Sequence, residues 1–205
     1  MRDLSVGIPP SVLTTRGDII ARSATAPARL AVGLLGQGLA TDGTDPKWYG
    51  IPAINGFRPT LTTLVPVTTA DVVGATTIYL TPYKGSQIAL NNGAGAGLGN
   101  WAILNSAEVS VALGTLTSGL PYDVFAYNNA GVLTLELLAW TNDTTRATAR
   151  VLTDGVNLKT GALTRRHVGT FRTTTATTTE NSAANRYLDS ADNQVEITSI
   201  QNDTT

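Results

Sequence analysis

The chain has 205 residues and a formal net charge of −1, and only 14% of its residues are charged. It has no cysteine and a single histidine, which excludes disulfide scaffolds, thiolate metal centres and two-histidine metal sites within one chain. The charge balance offers no basic footprint for nucleic acid, and no apolar run reaches the roughly 20 residues of a membrane helix. No cofactor is predicted. Threonine, with 33 residues, and glycine, with 20, favour strands and turns.

Residues 1–55 combine many prolines and glycines with large apolar side chains, and no stretch keeps a helical period. Such a segment buries little apolar surface by itself, so its apolar residues indicate burial against other chains. It also lacks the basic-then-apolar order of a signal peptide, so use without Sec export is expected. We predict an attachment and trimerisation segment. Its predicted interface residues are Leu13, Ile19, Ile20, Leu30, Val32, Leu39 and Trp48.

The remaining chain divides into three parts. Residues 56–69 contain Pro59 and Pro66, and proline removes a ladder donor, so a linker or an edge strand is predicted. Residues 70–174 are predicted to be the β domain, and residues 175–205 a polar segment with one possible strand. That last strand would carry Val195, Ile197 and Ile200.

Alternation of apolar and polar residues locates the strands of the β domain. It predicts strands at residues 76–81, 108–116, 123–128, 132–140, 148–152 and 167–172. The turn residues Asn-Asn-Ala-Gly at 128–131 predict a hairpin between two of these strands. The predicted fold is mainly β, an antiparallel β-sandwich or small barrel with an irregular N-terminal segment.

Four sequence features invite a functional interpretation. The glycine-rich stretch 93–99 lacks the register of a phosphate loop, so a turn before Trp101 is predicted. The three tryptophans are interpreted chiefly as core or interface residues, and an exposed Trp101 beside this stretch is a possible glycan contact. The Arg-Gly-Asp tripeptide at 16–18 is interpreted as a turn. His167 follows two arginines without a nucleophile motif, so a satisfied strand-edge histidine is predicted rather than a general base. No catalytic residue and no metal ligand is assigned.

Several short motifs of the sequence resemble motifs of tailed-bacteriophage virion structural proteins. Residues 13–20 read LTTRGDII, residues 26–33 read APARLAVG and residues 36–48 read GQGLATDGTDPKW. The β domain adds TIYLTPY at 77–83, YDVFAY at 122–127, WTNDTTRA at 140–147 and RRHVGTFR at 165–172. The common family ending, an aromatic Trp-Asn-Tyr-Tyr-Asn-Arg run, is replaced here by a polar stretch at 185–193.

The resemblance implies a β-rich homotrimer in the virion, assembled in the cytoplasm of a host bacterium. Such proteins serve as tail fibres or spikes, head fibres or capsid decoration proteins. We therefore expect a non-enzymatic structural component mounted through its N-terminal segment on other capsid or tail proteins. Two alternatives remain open: a capsid cement protein that staples coat subunits, and a tail spike that binds or cleaves a host surface polysaccharide.

Overall fold

The computed structural model describes residues 13–22, 26–41 and 43–194 of the chain. The possible C-terminal strand with Val195, Ile197 and Ile200 lies outside the described residues. The described part contains seventeen strands and a short 3-10 helix at Leu98–Asn100. The strands are β1 (Ile19–Arg22), β2 (Pro27–Leu30), β3 (Gly38–Thr41), β4 (Pro46–Tyr49), β5 (Phe57–Thr60), β6 (Val72–Ala75), β7 (Thr77–Pro82), β8 (Gln87–Asn91), β9 (Trp101–Asn105), β10 (Val109–Ala112), β11 (Pro121–Asn129), β12 (Val132–Ala139), β13 (Arg150–Thr153), β14 (Val156–Lys159), β15 (Ala162–Arg172), β16 (Thr179–Asn181) and β17 (Leu188–Ser190).

All of these strands pair in antiparallel fashion. The largest sheet has the order β12-β11-β15-β14-β13, and β17 also pairs with β15. A second sheet has the order β10-β7-β5. Two-stranded pairs β1-β2, β3-β4, β8-β9 and β16-β6 complete the described structure. The prediction of a mainly β, antiparallel fold is therefore confirmed.

The two larger sheets share one apolar core, as the layers of a sandwich do. Ile78 and Leu80 of β7 are fully buried and belong to the same apolar cluster as Val124 and Ala126 of β11. The residues that alternate with Ile78 and Leu80 in β7 are half-buried or polar. The alternation predicted for this strand is therefore confirmed. Full burial of each such aliphatic side chain stabilises the fold by about 1.5–3 kcal/mol.

The hairpin predicted at residues 128–131 joins β11 to β12. Ala130 and Gly131 have φ angles of 50° and 93°, the pair of positive values that a type I′ turn requires. The Asn128 side-chain oxygen accepts a hydrogen bond from the Gly131 amide at 2.6 Å. Because the twist of this turn matches that of the strands, it sets the register in which Asn129 pairs with Val132.

The structure covers both faces of β11, whereas alternation predicts one. Val124 and Ala126 face the shared core, and Phe125 on the opposite face is also fully buried. Its ring meets the His167 ring edge to face, with centroids 5.6 Å apart. Asp123, on that same face, is 1% exposed and pairs with Arg146 from the segment after β12. The face of β11 that carries Asp123 and Phe125 is therefore buried by residues distant in sequence.

Residues 50–60 pack on the β domain, although the sequence assigns them partly to the N-terminal segment and partly to a linker or an edge strand. The Arg166 Nη1 group, which is buried, donates to the carbonyl oxygens of Pro52 and Ile54 at 2.7 and 3.0 Å. Strand β5 then forms an edge of the three-stranded sheet, and Phe57 within it is fully buried. Residues 52–60 are therefore part of the same packed body as the β domain, because the buried Arg166 guanidinium uses two of their carbonyl oxygens as acceptors.

Candidate functional site

The first hairpin, β1-β2, is organised by the carboxylate of Asp18. Its Oδ2 atom accepts from the amides of Thr14 and Thr15 at 3.0 and 2.8 Å. Arg29 pairs with it at 2.7 Å, and Oδ1 accepts from the Val32 amide at 3.1 Å. Burial raises the pKa of Asp18, but these hydrogen bonds outweigh it and hold the pKa below its ordinary value. The Arg-Gly-Asp tripeptide is therefore part of a turn whose carboxylate is already bound.

The predicted interface residues all remain at least partly accessible in a single chain. Leu13, Val32 and Leu39 are 43%, 49% and 49% exposed. The other four are half-buried: Ile19, Ile20, Leu30 and Trp48. Their neighbours Leu34 and Leu35, which are not among the predicted interface residues, are 50% and 69% exposed. Ile51 is also exposed, at 56%. We call the exposed apolar side chains of this part of the chain the N-terminal apolar surface: Leu13, Val32, Leu34, Leu35, Leu39 and Ile51.

The segment around the second hairpin, β3-β4, is attached to the β domain through polar contacts. The Gln37 side-chain amide donates to the carbonyl oxygens of Gly99 and Trp101 at 3.1 and 3.0 Å. The Ile103 amide of β9 donates to the Leu35 carbonyl at 3.0 Å. These bonds fix the backbone and leave the Leu35 side chain outward. The apolar surface is therefore presented by an anchored segment.

Trp48 is used within this segment to close a loop. Its Nε1 group donates to the Ala31 carbonyl at 2.7 Å, and its ring lies against Gly33. A Cβ atom added at Gly33 would lie 2.6 Å from the ring, so only glycine permits this contact. Trp48 links the two hairpins and retains partial exposure.

Trp101 is not exposed, as a glycan contact would require. The side chain is fully buried in a small second cluster with Ala89 and Leu158. Its Nε1 group donates to the Asp154 carboxylate at 2.8 Å, and Gly50 packs closely against the Trp101 backbone carbonyl and Cβ atom. The possible glycan contact at Trp101 is corrected, because a buried ring offers no face to a sugar. The partners of the indole are remote in sequence, so no local pattern identified them.

His167 is satisfied by hydrogen bonds, but it is not at a strand edge. It lies in β15, which pairs with β11 on one side and with β14 and β17 on the other. Its Nδ1 atom is 3.0 Å from Arg150 Nη1, and since a guanidinium only donates, Nδ1 accepts. The Nε2 atom then faces Asp123 Oδ1 at 3.3 Å and Thr170 Oγ1 at 3.2 Å.

The contacts among Asp123, His167 and Thr170 are those of a structural hydrogen-bond cluster. The Thr170 hydroxyl donates to Asp123 at 2.8 Å, so it does not present its proton to the histidine as a nucleophile would. Burial raises the pKa of Asp123, yet hydrogen bonds from His167, Thr170 and Arg146 lower it to about 2. The carboxylate is thus ionised at neutral pH and joins β11 to two residues of β15 and to Arg146 in the segment after β12.

A polar groove on the β domain was not predicted from the sequence. It consists of neighbouring cavities that share Arg186, and we call it the Arg186 groove. The largest polar part has a volume of about 300 Å³. Its lining comes from two remote stretches, around Arg58 with residues 67–71 and around residues 181–186. No single motif could reveal it, because the site exists only where these stretches meet.

Two further properties concern the described ranges alone. Within residues 13–22, 26–41 and 43–194, no three acidic or histidine side chains cluster as a metal site would need. In the same ranges, no helix has the length and apolarity to cross a bilayer.

Comparisons of the chain with models of protein families, with curated proteins and with solved structures found no significant match.

Proposed function

We propose that this protein is a non-enzymatic structural component of a bacteriophage particle. In this proposal it is a trimeric fibre, spike or surface-decoration protein, mounted through its N-terminal segment on other virion proteins. The observation that carries the proposal is the N-terminal apolar surface. Six large side chains on it are exposed in one chain: Leu13, Val32, Leu34, Leu35, Leu39 and Ile51. The resemblance of residues 13–48 to phage virion proteins supports the same role.

The energetics favour burial of this surface in an assembly. A leucine that is half exposed or more still has about 1 kcal/mol to gain from full burial. Because closed assemblies repeat each contact in every subunit, the gain from several such residues is multiplied by symmetry. Orphaned apolar surface of this kind is typical of protein interfaces.

The first hairpin, β1-β2, gives a second reason to expect assembly with other subunits. A two-stranded hairpin is at most marginally stable in water unless another surface packs against it. In the described structure β1 and β2 pair only with each other, through residues Ile19 to Arg22 and Pro27 to Leu30. Their half-buried apolar residues, Ile19, Ile20 and Leu30, gain a covered face if neighbouring subunits pack there. A trimer axis or a virion socket supplies that surface.

Two measurements test the proposal. Light scattering of the full chain is expected to give three times the protomer mass of 21.4 kDa, and a monomer at micromolar concentration would contradict the trimer. Electron microscopy of phage particles labelled with antibody to the protein is expected to show regular label. Label on the tail supports a fibre or spike, label on the head supports decoration or cement, and particles without label overturn the virion role.

A further inference from the structure

The largest polar part of the Arg186 groove is the cavity between Arg58 and Arg186. It is a concave polar site on an otherwise sparsely charged protein. It has a volume of about 300 Å³, at the lower end of small-molecule sites and near that needed for one sugar residue. Arg58 reaches it from β5, an edge strand, and Arg186 from the loop before β17. One end of the cavity therefore lies on a strand, and the other lies on the loop between β16 and β17.

The two arginines lack carboxylate partners among the described residues. Arg58 Nη1 donates to the carbonyl of Pro66, while its Nε atom is buried without a hydrogen-bond partner. Arg186 forms no ion pair within the part of the chain that the structure describes. Of the nearby carboxylates, Asp71 accepts from the Ala183 amide at 2.8 Å, and Asp189 lines the adjoining cavity.

The positive charge of Arg58 is therefore only partly balanced by the negative charges around it. Burial lowers its pKa, and the charges of Tyr83 and Asp189 only partly oppose that effect. A desolvated guanidinium without a counter-ion gains from an oxyanion, above all from a carboxylate that accepts two parallel N–H bonds. The cavity thus favours a ligand that carries one negative group.

The rest of the lining suits hydroxyl groups. Thr68, Thr69 and Ser182 contribute hydroxyls that donate and accept, and Asn181 contributes an amide that does both. Arg186 also lines a neighbouring cavity of about 300 Å³ whose wall includes Trp140 and Tyr187. Aromatic side chains pack against the C–H face of a sugar ring, which a bare inorganic anion lacks.

We infer that the cavity between Arg58 and Arg186 binds a carboxylated sugar, with its carboxylate on the guanidinium groups and its hydroxyls on the Thr68, Thr69, Asn181 and Ser182 wall. The inference stands on the cavity and does not depend on the proposed function. A monomer without any place in a virion would have the same site.

The test is titration of the full chain with sodium glucuronate, followed by calorimetry and by amide chemical shifts in nuclear magnetic resonance spectra. Glucose serves as the uncharged counterpart and inorganic phosphate as the anion without a ring. Glucuronate is expected to bind at least about tenfold more tightly than either, with shifts concentrated at residues 67–71 and 181–186. Equal binding of glucose, binding of phosphate alone, or no binding of glucuronate would each overturn the inference.

Two variants of the cavity and one control variant test whether binding occurs there. Arg186→Gln, at an exposed position, is expected to weaken glucuronate binding about tenfold. Lys84→Gln removes the same charge from an exposed residue outside the cavity lining and is expected to leave binding unchanged. Arg58→Lys keeps the charge but not the fork, and it is expected to weaken binding to an intermediate degree. If Arg186→Gln and Lys84→Gln bind alike, the assignment to this cavity fails.

Discussion

The indole of Trp101 donates a 2.8 Å hydrogen bond to the carboxylate of Asp154, which lies 53 residues further along the chain. Asp154 has a φ of 48° and begins the turn that joins β13 to β14. The same carboxylate oxygen accepts from the Gly97 amide at 2.9 Å. One side chain therefore ties the glycine-rich β8–β9 connection to a remote hairpin and holds Trp101 in the second core.

This relationship predicts a measurable loss of stability when the carboxylate is removed. Asp154→Ala leaves the buried Trp101 Nε1 group without an acceptor, so the free energy of unfolding is expected to fall by about 1–2 kcal/mol. Urea denaturation followed by tryptophan fluorescence measures it. Asp143→Ala, which removes the exposed ion pair with Arg172, is the control and is expected to cost about 0.5 kcal/mol. Equal losses in the two variants would contradict the role given to Asp154.

Acid sensitivity is predicted from Asp123. Its pKa in the folded protein is about 2, below the ordinary value of 3.8, so its contribution to stability is complete above about pH 4. That contribution is lost as the pH falls from about 4 towards 2, and it amounts to roughly 2 kcal/mol. Asp123→Asn cannot ionise. Urea unfolding between about pH 2 and 6 is therefore expected to show a shallower acid decline for the variant, and parallel declines would refute the assignment.

The docking of the N-terminal segment depends on Gly36. Its φ is 77°, and an added Cβ atom would lie 2.5 Å from the Ile103 side chain. Gly36→Ala is thus expected to detach the segment, with faster hydrogen exchange at the Ile103 amide and faster proteolysis within residues 33–49. Gly38→Ala is the matched control, since nothing lies within 4 Å of its added Cβ. Identical protection in both variants would show that the contact is unimportant.

The β11–β12 turn offers a stabilising substitution. Ala130 occupies a positive φ of 50°, where asparagine is tolerated better than alanine. Ala130→Asn creates the Asn-Gly pair preferred in type I′ turns and is expected to raise the free energy of unfolding by about 0.5–1 kcal/mol. Gly131→Ala, at a φ of 93°, is expected to lower it by about 1 kcal/mol. Thermal unfolding of both variants gives the sign, and a destabilised Ala130→Asn protein would exclude this reading of the turn.

Self-association is predicted to depend on the N-terminal apolar surface. Leu35→Asp places a charge on a side chain that is 69% exposed, so folding is expected to be unaffected while trimer formation weakens at least about tenfold. Val132→Asp introduces the same charge at a residue 62% exposed on β12 and should leave the mass unchanged. Light scattering across a dilution series compares the two. Loss of association in the Val132 variant alone would move the interface elsewhere.

Local features of the fold were predictable because they depend on neighbours in sequence. The alternation that buries Ile78 and Leu80, and the Asn-Asn-Ala-Gly turn before Val132, follow from strand periodicity and from residues that tolerate positive φ. Short strands such as β8 and β14 were missed. Their four or five residues carry little periodic signal. Ile88 and Leu90 of β8 are buried in the main core, and Val156 and Leu158 of β14 are buried in the second core.

Composition, periodicity and turn residues are enough to show a mainly β protein, to locate its strongest strands and turns, and to find apolar side chains between the glycines and prolines of the first fifty residues. The burial of Trp101, the interior position of His167 and the cavity shared by Arg58 and Arg186 become visible only in the folded chain. Periodicity and turn geometry act over a few residues, whereas burial and the pairing of charges depend on segments such as β5 and β17, which more than a hundred residues separate.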